Sequence, residues 1–288
     1  MDQVQSFLLN RYKDHKDIIS LIAYHNTTPF PSHTDVYDFL VVVVAEPEDI
    51  NRSLFHYIKE GYRIQERWIS AKDLELWLFN GENRNIIFWI LQGEILMDRG
   101  IYLESLRHRL LEFPDLLKEQ KLLMEFSLFL SKFVQSKEYL AEAHYLDAYS
   151  NILEGLHHWA RIVIIEEGHH PELTVWRQVR LINPGVYKLY EELTLSSETL
   201  RQRVELVILA CEFSVMSKMK SCCKLLLRIL EDRQAPWRID EIQSHTDLQH
   251  LRINISLLLN RLVNKSLIRE VAVSLDDAFS ELELRYTS

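Results

Sequence analysis

Residues 35–44 read DVYDFLVVVV. This apolar run predicts a β-strand over Phe39–Ala45 with both faces covered, because a strand with one face in solvent alternates apolar and polar residues. Residues 18–24 (IISLIAY) and Tyr62–Ser70 (YRIQERWIS) have the β-branched and alternating patterns of further strands. Strands that alternate with helical segments are typical of a small α/β domain, which we place at residues 1–115.

The rest of the chain is predicted to be a helical bundle followed by a small mixed module. Apolar residues recur at helical spacing up to about residue 230, which predicts an all-α bundle over residues 116–232. The sequence APW at 235–237 breaks this pattern, and residues 233–288 then suit a winged helix-turn-helix-like module. The predicted fold class is therefore α+β and mostly helical.

Composition excludes several classes of protein. With 47% hydrophobic and 26% charged residues, the chain is too apolar to be disordered. The nearest two of its 7 glycines, Gly93 and Gly100, are too far apart to form a Rossmann or Walker phosphate-binding loop. The net charge of −9 requires that any contact with nucleic acid come from a local basic patch.

The sequence also indicates a cellular compartment. The three cysteines lie within a helical pattern and are expected to be reduced thiols. No apolar run approaches the ~20 residues of a membrane span, and the charged N-terminal segment lacks the apolar region of a secretory signal. We expect a cytoplasmic protein without a membrane partner.

Carboxylates precede the most apolar strand. Asp38 comes directly before Phe39–Ala45, and Asp35 lies three residues earlier. Mg²⁺ prefers oxygen ligands and bridges nucleotide phosphates in phosphoryl transfer, so this placement predicts a metal site. On a regular strand Asp35 would face away from Asp38, and it contributes only if the chain bends at Val36 and Tyr37.

Longer stretches of the chain resemble the nucleotidyltransferase-like proteins of the YgxA type, relatives of the DNA polymerase β superfamily. The resemblance covers nearly the whole chain, and its segments are DVYDFLVVVV, WILQGEILMDRGIYLESLRHRL, HYLDAYSNILEGLHHWARI, HHPELTVWRQVRLINPGVYKLYEEL and APWRIDEI. It implies a nucleotidyltransferase-like α/β domain, a helical domain similar to the substrate-binding domains of aminoglycoside nucleotidyltransferases, and a C-terminal helix-turn-helix.

The sequence departs from the pattern that this resemblance implies. Active members of the superfamily carry Gly-Ser after the first strand, where this chain has Ala-Tyr followed by His25 and Asn26, the residues we expect beside a nucleotide. The first of the paired acidic positions is Val36, and the third carboxylate has only Glu66 as a candidate. The expected Mg²⁺ ligands are therefore Asp38 with Asp35 or Glu66.

A polar stripe marks one predicted helix of the bundle. Its members are spaced three and four residues apart, which places them on one helix face; they are His144, Asp147, Asn151, Glu154, His158 and Arg161. A charged stripe is by default a solvated face. The resemblance implies instead that it lines a cleft, with Glu154 or His158 as general base and the other four residues binding substrate.

The C-terminal module has a local basic segment. No acidic residue occurs between Leu248 and Arg269, whereas the module as a whole has seven basic and eight acidic residues from Arg233 to Arg285. The segment contains Arg252, Arg261, Lys265 and Arg269. It could contact nucleic acid, but the acidic remainder favours protein contact or dimerisation, including a homodimer.

Two functional hypotheses follow. In the first, the protein transfers the NMP of an NTP to an unknown small acceptor with Mg²⁺. In the second, it is a catalytically inactive nucleotide-sensing or regulatory protein whose winged helix binds DNA or protein.

Overall fold

The computed structural model describes residues 2–26, 37–46, 54–80, 84–172, 174–274 and 281–288. The chain divides into two compact units, Met1–Pro114 and Asp115–Ser288.

The first unit is built on a five-stranded mixed sheet with the strand order β3-β4-β2-β1-β5. Strands β2 and β4 are parallel, and the other neighbours are antiparallel. Its elements are α1 (Asp2–Tyr12), β1 (Ile18–His25), β2 (Phe39–Ala45), β3 (Leu54–Lys59), β4 (Tyr62–Ser70), α2 (Ala71–Asn80), α3 (Arg84–Gln92), β5 (Glu94–Asp98), a 3₁₀ turn (Arg99–Ile101) and α4 (Tyr102–Glu112).

Strand β2 is the centre of this unit, as its composition predicts. All seven of its residues are buried. Leu40, Val42 and Val44 pack into a core with residues of α2, α3 and α4. Phe39 and Val41 on the opposite face pack with α1. The prediction of a strand covered on both faces is confirmed.

Strand β3 was not predicted from the sequence. It lies at the edge of the sheet, and Leu54, Phe55 and Ile58 are exposed, so its residues do not show the alternation of a half-buried strand. The turn to β4 places Glu60 and Gly61 at φ angles of 53° and 82°. Two consecutive left-handed residues form the two-residue turn that joins antiparallel strands, and this Glu-Gly pair was the available signal.

The second unit combines the helical bundle with the C-terminal module. Its elements are α5 (Asp115–Ala141), α6 (Tyr145–Glu166), α7 (Val175–Ile182), α8 (Pro184–Leu195), α9 (Leu200–Cys222), α10 (Lys224–Glu231), α11 (Ile239–Gln243), α12 (Ile255–Asn264), β6 (Arg269–Ser274) and β7 (Leu282–Thr287). Helices α5 and α6 form the main pair, and β6 and β7 form an antiparallel hairpin after α12. The α+β, mostly helical fold class is confirmed.

Candidate functional site

Asp38 is held at the end of the sheet where β1 ends and β2 and β4 begin, which we call the Asp38 edge. Its main chain bridges the two neighbouring strands: Asn26 N–H donates to the Asp38 carbonyl at 2.8 Å, and Asp38 N–H donates to the Arg63 carbonyl at 2.9 Å. Its side-chain Oδ2 accepts the Arg63 N–H at 2.7 Å. One carboxylate oxygen of Asp38 is therefore already bound to the backbone of β4.

Glu66 is buried in a cluster of aromatic donors, which we call the Glu66 cluster (Glu66, Tyr12, Tyr57 and Trp68). Its Oε1 accepts the Tyr12 hydroxyl at 2.6 Å and the Trp68 indole N–H at 2.8 Å, and its Oε2 accepts the Tyr57 hydroxyl at 2.8 Å. The Arg11 guanidinium lies 3.8 Å from Oε2. Because the carboxylate is fully buried, these contacts provide the stabilisation that water would otherwise give its charge.

The Glu66 cluster explains the electrostatics of its two tyrosines. Burial, together with the adjacent Glu66 carboxylate, raises the pKa of Tyr12 above its ordinary value. Tyr57 has a raised pKa for the same reasons, burial first and the charge of Glu66 second. Both phenols therefore remain protonated donors to Glu66.

The structure does not bring Glu66 to Asp38. Asp38 precedes β2, and its side chain bonds the Arg63 N–H at the start of β4. Glu66 pairs with Val41, and its side chain is bound within the Glu66 cluster on the α1 side of the sheet. Glu66 also lies three residues further along β4 than Arg63, which is roughly 10 Å along the strand. The physical reason is that the two carboxylates are bound to different partners at points along β4 that are too far apart for them to share a metal ion.

At the Asp38 edge the described residues supply one carboxylate, that of Asp38, to the predicted Mg²⁺ site. Asp38 contributes one partly occupied carboxylate, and Asp35 lies outside the described residues. Among the segments that the structure describes, no group of three or more His, Cys, Asp or Glu side chains is placed to hold a metal ion. Mg²⁺ in phosphoryl transfer needs several oxygen ligands around it, so a single aspartate is a poor site.

Aromatic rings surround His25 at the Asp38 edge. The His25 ring stacks on Phe39 with 4.4 Å between centroids, and Tyr62 meets Phe39 edge to face at 5.3 Å. His25 Nδ1 is buried and has no hydrogen-bond partner among the residues that the structure describes. Beside this group, Arg63 lies 5.8 Å from the ring centre of Tyr37. His25, a predicted nucleotide-binding residue, thus places this ring nitrogen beside an aromatic surface. Sequence reasoning missed Tyr62 and Arg63 as further residues of the Asp38 edge.

The first half of the predicted polar stripe lies on the exposed side of α6. His144 is the residue that precedes the helix, and Asp147 is exposed in its first turn. Asn151 donates to the Asp147 carbonyl at 2.9 Å. Glu154, the first choice as general base, is 57% exposed and pairs with Lys132 at 2.6 Å. These four residues have the contacts of a solvated helix face.

The second half of the stripe is buried against α5. His158 Nδ1 lies 2.6 Å from Glu125 Oε2, and the Arg161 guanidinium lies 3.4 Å from the same oxygen. Burial tends to raise the pKa of Glu125, but the hydrogen bond with His158 and the charge of Arg161 outweigh it and hold the pKa below its ordinary value. Burial lowers the pKa of Lys121, one turn before Glu125, to about 8. The stripe therefore divides into an exposed part and a buried ionic cluster.

Sequence reasoning missed Glu125, which organises this cluster. It lies within the apolar segment LLMEF of α5, where a core helix was expected. A glutamate four residues after a lysine within such a segment was the available signal, because charged residues rarely become buried without partners.

The basic residues of the C-terminal module are only partly brought together. Arg261 and Lys265 lie one turn apart at the C-terminal end of α12. Arg252 precedes the helix, which is about 15 Å long, so it lies at the opposite end. Arg269 is exposed at the start of β6 and donates to the Ser288 carbonyl at 3.0 Å. The four cations do not form one compact patch.

Helix α12 has a polar outer face. Ile255, Leu258, Leu259 and Leu262 are buried on its inner side. Its exposed residues are Ser256, Asn260 and Asn264.

The described part of the chain has no helix long and apolar enough to span a membrane.

Comparisons with known proteins identify relatives of the whole chain. Models of three domain families match it: Nucleotidyltransferase-like at residues 1–118, YgxA-like substrate binding domain at 119–218, and Helix-turn-helix domain at 224–276. The uncharacterized protein YgxA of Bacillus subtilis (strain 168) is 33% identical over 254 residues, which are 88% of this chain and 86% of that protein.

A solved structure gives the same result. The crystal structure of a nucleotidyltransferase-like protein from Exiguobacterium sibiricum 255-15 is similar with a TM-score of 0.88 at 30% identity. The match covers 100% of this chain and 99% of that one. The extent and identity of these matches show that the chain belongs to the YgxA family of nucleotidyltransferase-like proteins, with a C-terminal helix-turn-helix domain.

Proposed function

We propose that this protein binds a nucleotide in its nucleotidyltransferase-like domain without transferring the NMP, and acts as a regulator through DNA contact by its helix-turn-helix domain. The observation that carries the proposal is the separation of Asp38, which is bonded to the Arg63 N–H, from Glu66, which is bound within the Glu66 cluster. It favours the second of the two hypotheses drawn from the sequence.

The separation matters because metal ions supply most of the charge stabilisation in phosphoryl transfer. A carboxylate that is bonded by two tyrosines and a tryptophan has a structural role, and releasing it would leave three buried donors without an acceptor. The chain also lacks glycine between Ala23 and Asn26, where Gly-Ser would expose backbone amides to a triphosphate.

Nucleotide binding is supported by the remaining chemistry of the Asp38 edge. The His25 ring and the rings of Phe39 and Tyr62 offer apolar surface of the kind that contacts a nucleobase. The unsatisfied Nδ1 of His25 can form a hydrogen bond with a ligand, and Arg63 supplies a nearby cation. None of these contacts requires a metal ion.

DNA contact is supported by the helix-turn-helix domain. The outer face of α12 carries serine and asparagine side chains, which can form hydrogen bonds with base edges in a major groove. Arg252, Lys265 and Arg269 are exposed cations near this helix and can contact phosphates.

Calorimetric titration with each of the four ribonucleoside triphosphates tests the proposal. We expect saturable binding of at least one that persists in EDTA, without transfer of label from an α-labelled nucleotide to the products of a cell extract. His25→Phe keeps the stacked ring but removes Nδ1, and should weaken binding about fivefold. His108→Phe, at an exposed position of α4, is the matched control and should leave binding unchanged.

Two results would contradict the proposal. Transfer of label that EDTA abolishes would establish the first hypothesis in its place. If none of the four nucleotides binds, the nucleotide-binding part of the proposal is wrong.

A further inference from the structure

Helix α12, the second helix of the helix-turn-helix, is docked along the bundle helix α5. The backbone N–H of Asn254, at the N-terminus of α12, donates to the hydroxyl of Ser127 at 2.8 Å. The side chain of Gln120, two turns earlier on α5, donates to the carbonyl of Asp247 at 3.0 Å. Both α5 residues are buried. The turn that leads into α12 and the N-cap residue of the helix are therefore fixed on α5.

The C-terminal half of α12 also lies beside the bundle. Arg261 and Lys265 line a small crevice of about 50 Å³ together with Leu130 and Phe133 of α5 and Glu212 of α9. The two cations are thus next to a carboxylate of the same chain. Glu212 itself pairs with Lys137 of α5 at 2.8 Å, which fixes it at the rim of this crevice.

This arrangement conflicts with the geometry of DNA reading. A recognition helix enters a major groove about 12 Å wide with its N-terminal residues at the base edges, and DNA backbones pass on both of its sides. Here α5 occupies one side of α12 from Ser127 to Phe133. A phosphate backbone on that side would meet α5 and the negative charge of Glu212.

We propose that the docking of α12 on α5 is an autoinhibitory contact, and that the helix-turn-helix binds DNA only after α12 leaves α5. This inference rests on the proposed DNA contact. Undocking breaks the Ser127–Asn254 and Gln120–Asp247 hydrogen bonds and separates Arg261 and Lys265 from the negative charge of Glu212. Each lost hydrogen bond shifts the equilibrium by a factor of about five, so removing both favours the open state by on the order of tenfold or more.

A reversible cross-link gives the sharpest test. In the double variant Ser127→Cys/Asn254→Cys the close approach of the two positions puts a disulfide within reach, and the native cysteines of the chain are buried. We would measure fluorescence anisotropy of a labelled mixed-sequence duplex at low salt with the full-length protein, first oxidised and then reduced. The reduced form is the matched control for any loss of the Asn254 cap. We expect binding by the reduced form and at least tenfold weaker binding by the oxidised form.

A release variant tests the same contact in the opposite direction. The double variant Gln120→Ala/Ser127→Ala removes the donor side chain of Gln120 and the acceptor hydroxyl of Ser127 from α5. It should bind the duplex on the order of tenfold more tightly than the wild type. Ser136→Ala is the matched control, because that buried serine of α5 bonds the Ala148 carbonyl of α6 instead of the module. It should bind like the wild type.

The outcomes separate the two proposals. Equal binding by the oxidised and reduced forms would overturn autoinhibition while leaving DNA contact in place. If neither the reduced nor the release variant binds the duplex, the proposed DNA contact fails, and autoinhibition of it fails as well.

Discussion

The buried carboxylate of Glu66 is the residue for which the structure and the superfamily resemblance differ most, and Glu66→Ala distinguishes them. Hydrogen bonds to a charged group contribute about 1.5–3 kcal/mol each, and three donors point at this carboxylate. Deleting one partner of a buried charged network typically costs about 3–5 kcal/mol. We expect a loss of this size in the free energy of unfolding.

Urea unfolding followed by circular dichroism and by tryptophan fluorescence measures this loss, and Trp68 of the cluster is one of the chain's 6 tryptophans. Glu66→Gln keeps the shape and should lose less than the alanine variant. Glu46→Ala, at an exposed position after β2, is the control and should change stability by less than about 0.5 kcal/mol. If Glu66→Ala unfolds like the wild type but abolishes metal-dependent nucleotide binding, Glu66 is a ligand and the structural reasoning is wrong.

Three further predictions concern the second unit. Burial lowers the pKa of Lys121 from 10.5 in the unfolded chain to about 8 in the folded one. Between these pH values the unfolded chain binds more protons, so the free energy of unfolding should rise with pH there. Lys121→Met should abolish that rise in urea titrations and stabilise the protein at neutral pH by about 3 kcal/mol. In the same assay, Glu125→Ala should lower the free energy of unfolding by about 3–5 kcal/mol. The control Glu154→Ala, at an exposed position, should lower it by less than about 1 kcal/mol. Equal losses would show that the buried cluster has no special role in stability. Burial raises the pKa of both Cys211 and Cys222 to about 12. Ellman's reagent should therefore label them slowly in the native protein and rapidly in urea. Fast labelling of the native protein would contradict their burial.

Strand β2 and the edge strand β3 illustrate what sequence patterns can predict about the fold. The continuous apolar run of Phe39–Ala45 requires cover on two faces, and the structure provides it with α1 on one side and the helices α2 to α4 on the other. Strand β3 has exposed Leu54 and Ile58 and is stabilised by pairing with β4. Its own residues show no strand alternation, and the local signal was the Glu60-Gly61 turn that follows it.

The candidate site was less predictable because its residues meet through tertiary contacts. Spacing along α6 correctly places its polar residues on one face, but it does not distinguish the exposed Glu154 from the buried His158. Burial of His158 depends on Glu125, which is 33 residues earlier in the chain. Periodicity predicts which residues share a face of an isolated helix. Which part of a polar face is exposed to solvent depends on the packing of neighbouring helices.

The sequence alone determined the mostly helical α+β class, the two-sided cover of β2 and the family, because hydrophobic periodicity and long sequence similarity are properties of the linear chain. Only the tertiary structure decided that Glu66 binds Tyr12, Tyr57 and Trp68 instead of joining Asp38. Strand register sets the face of β4 on which Glu66 lies, and register is fixed by pairing with strands that are distant in sequence.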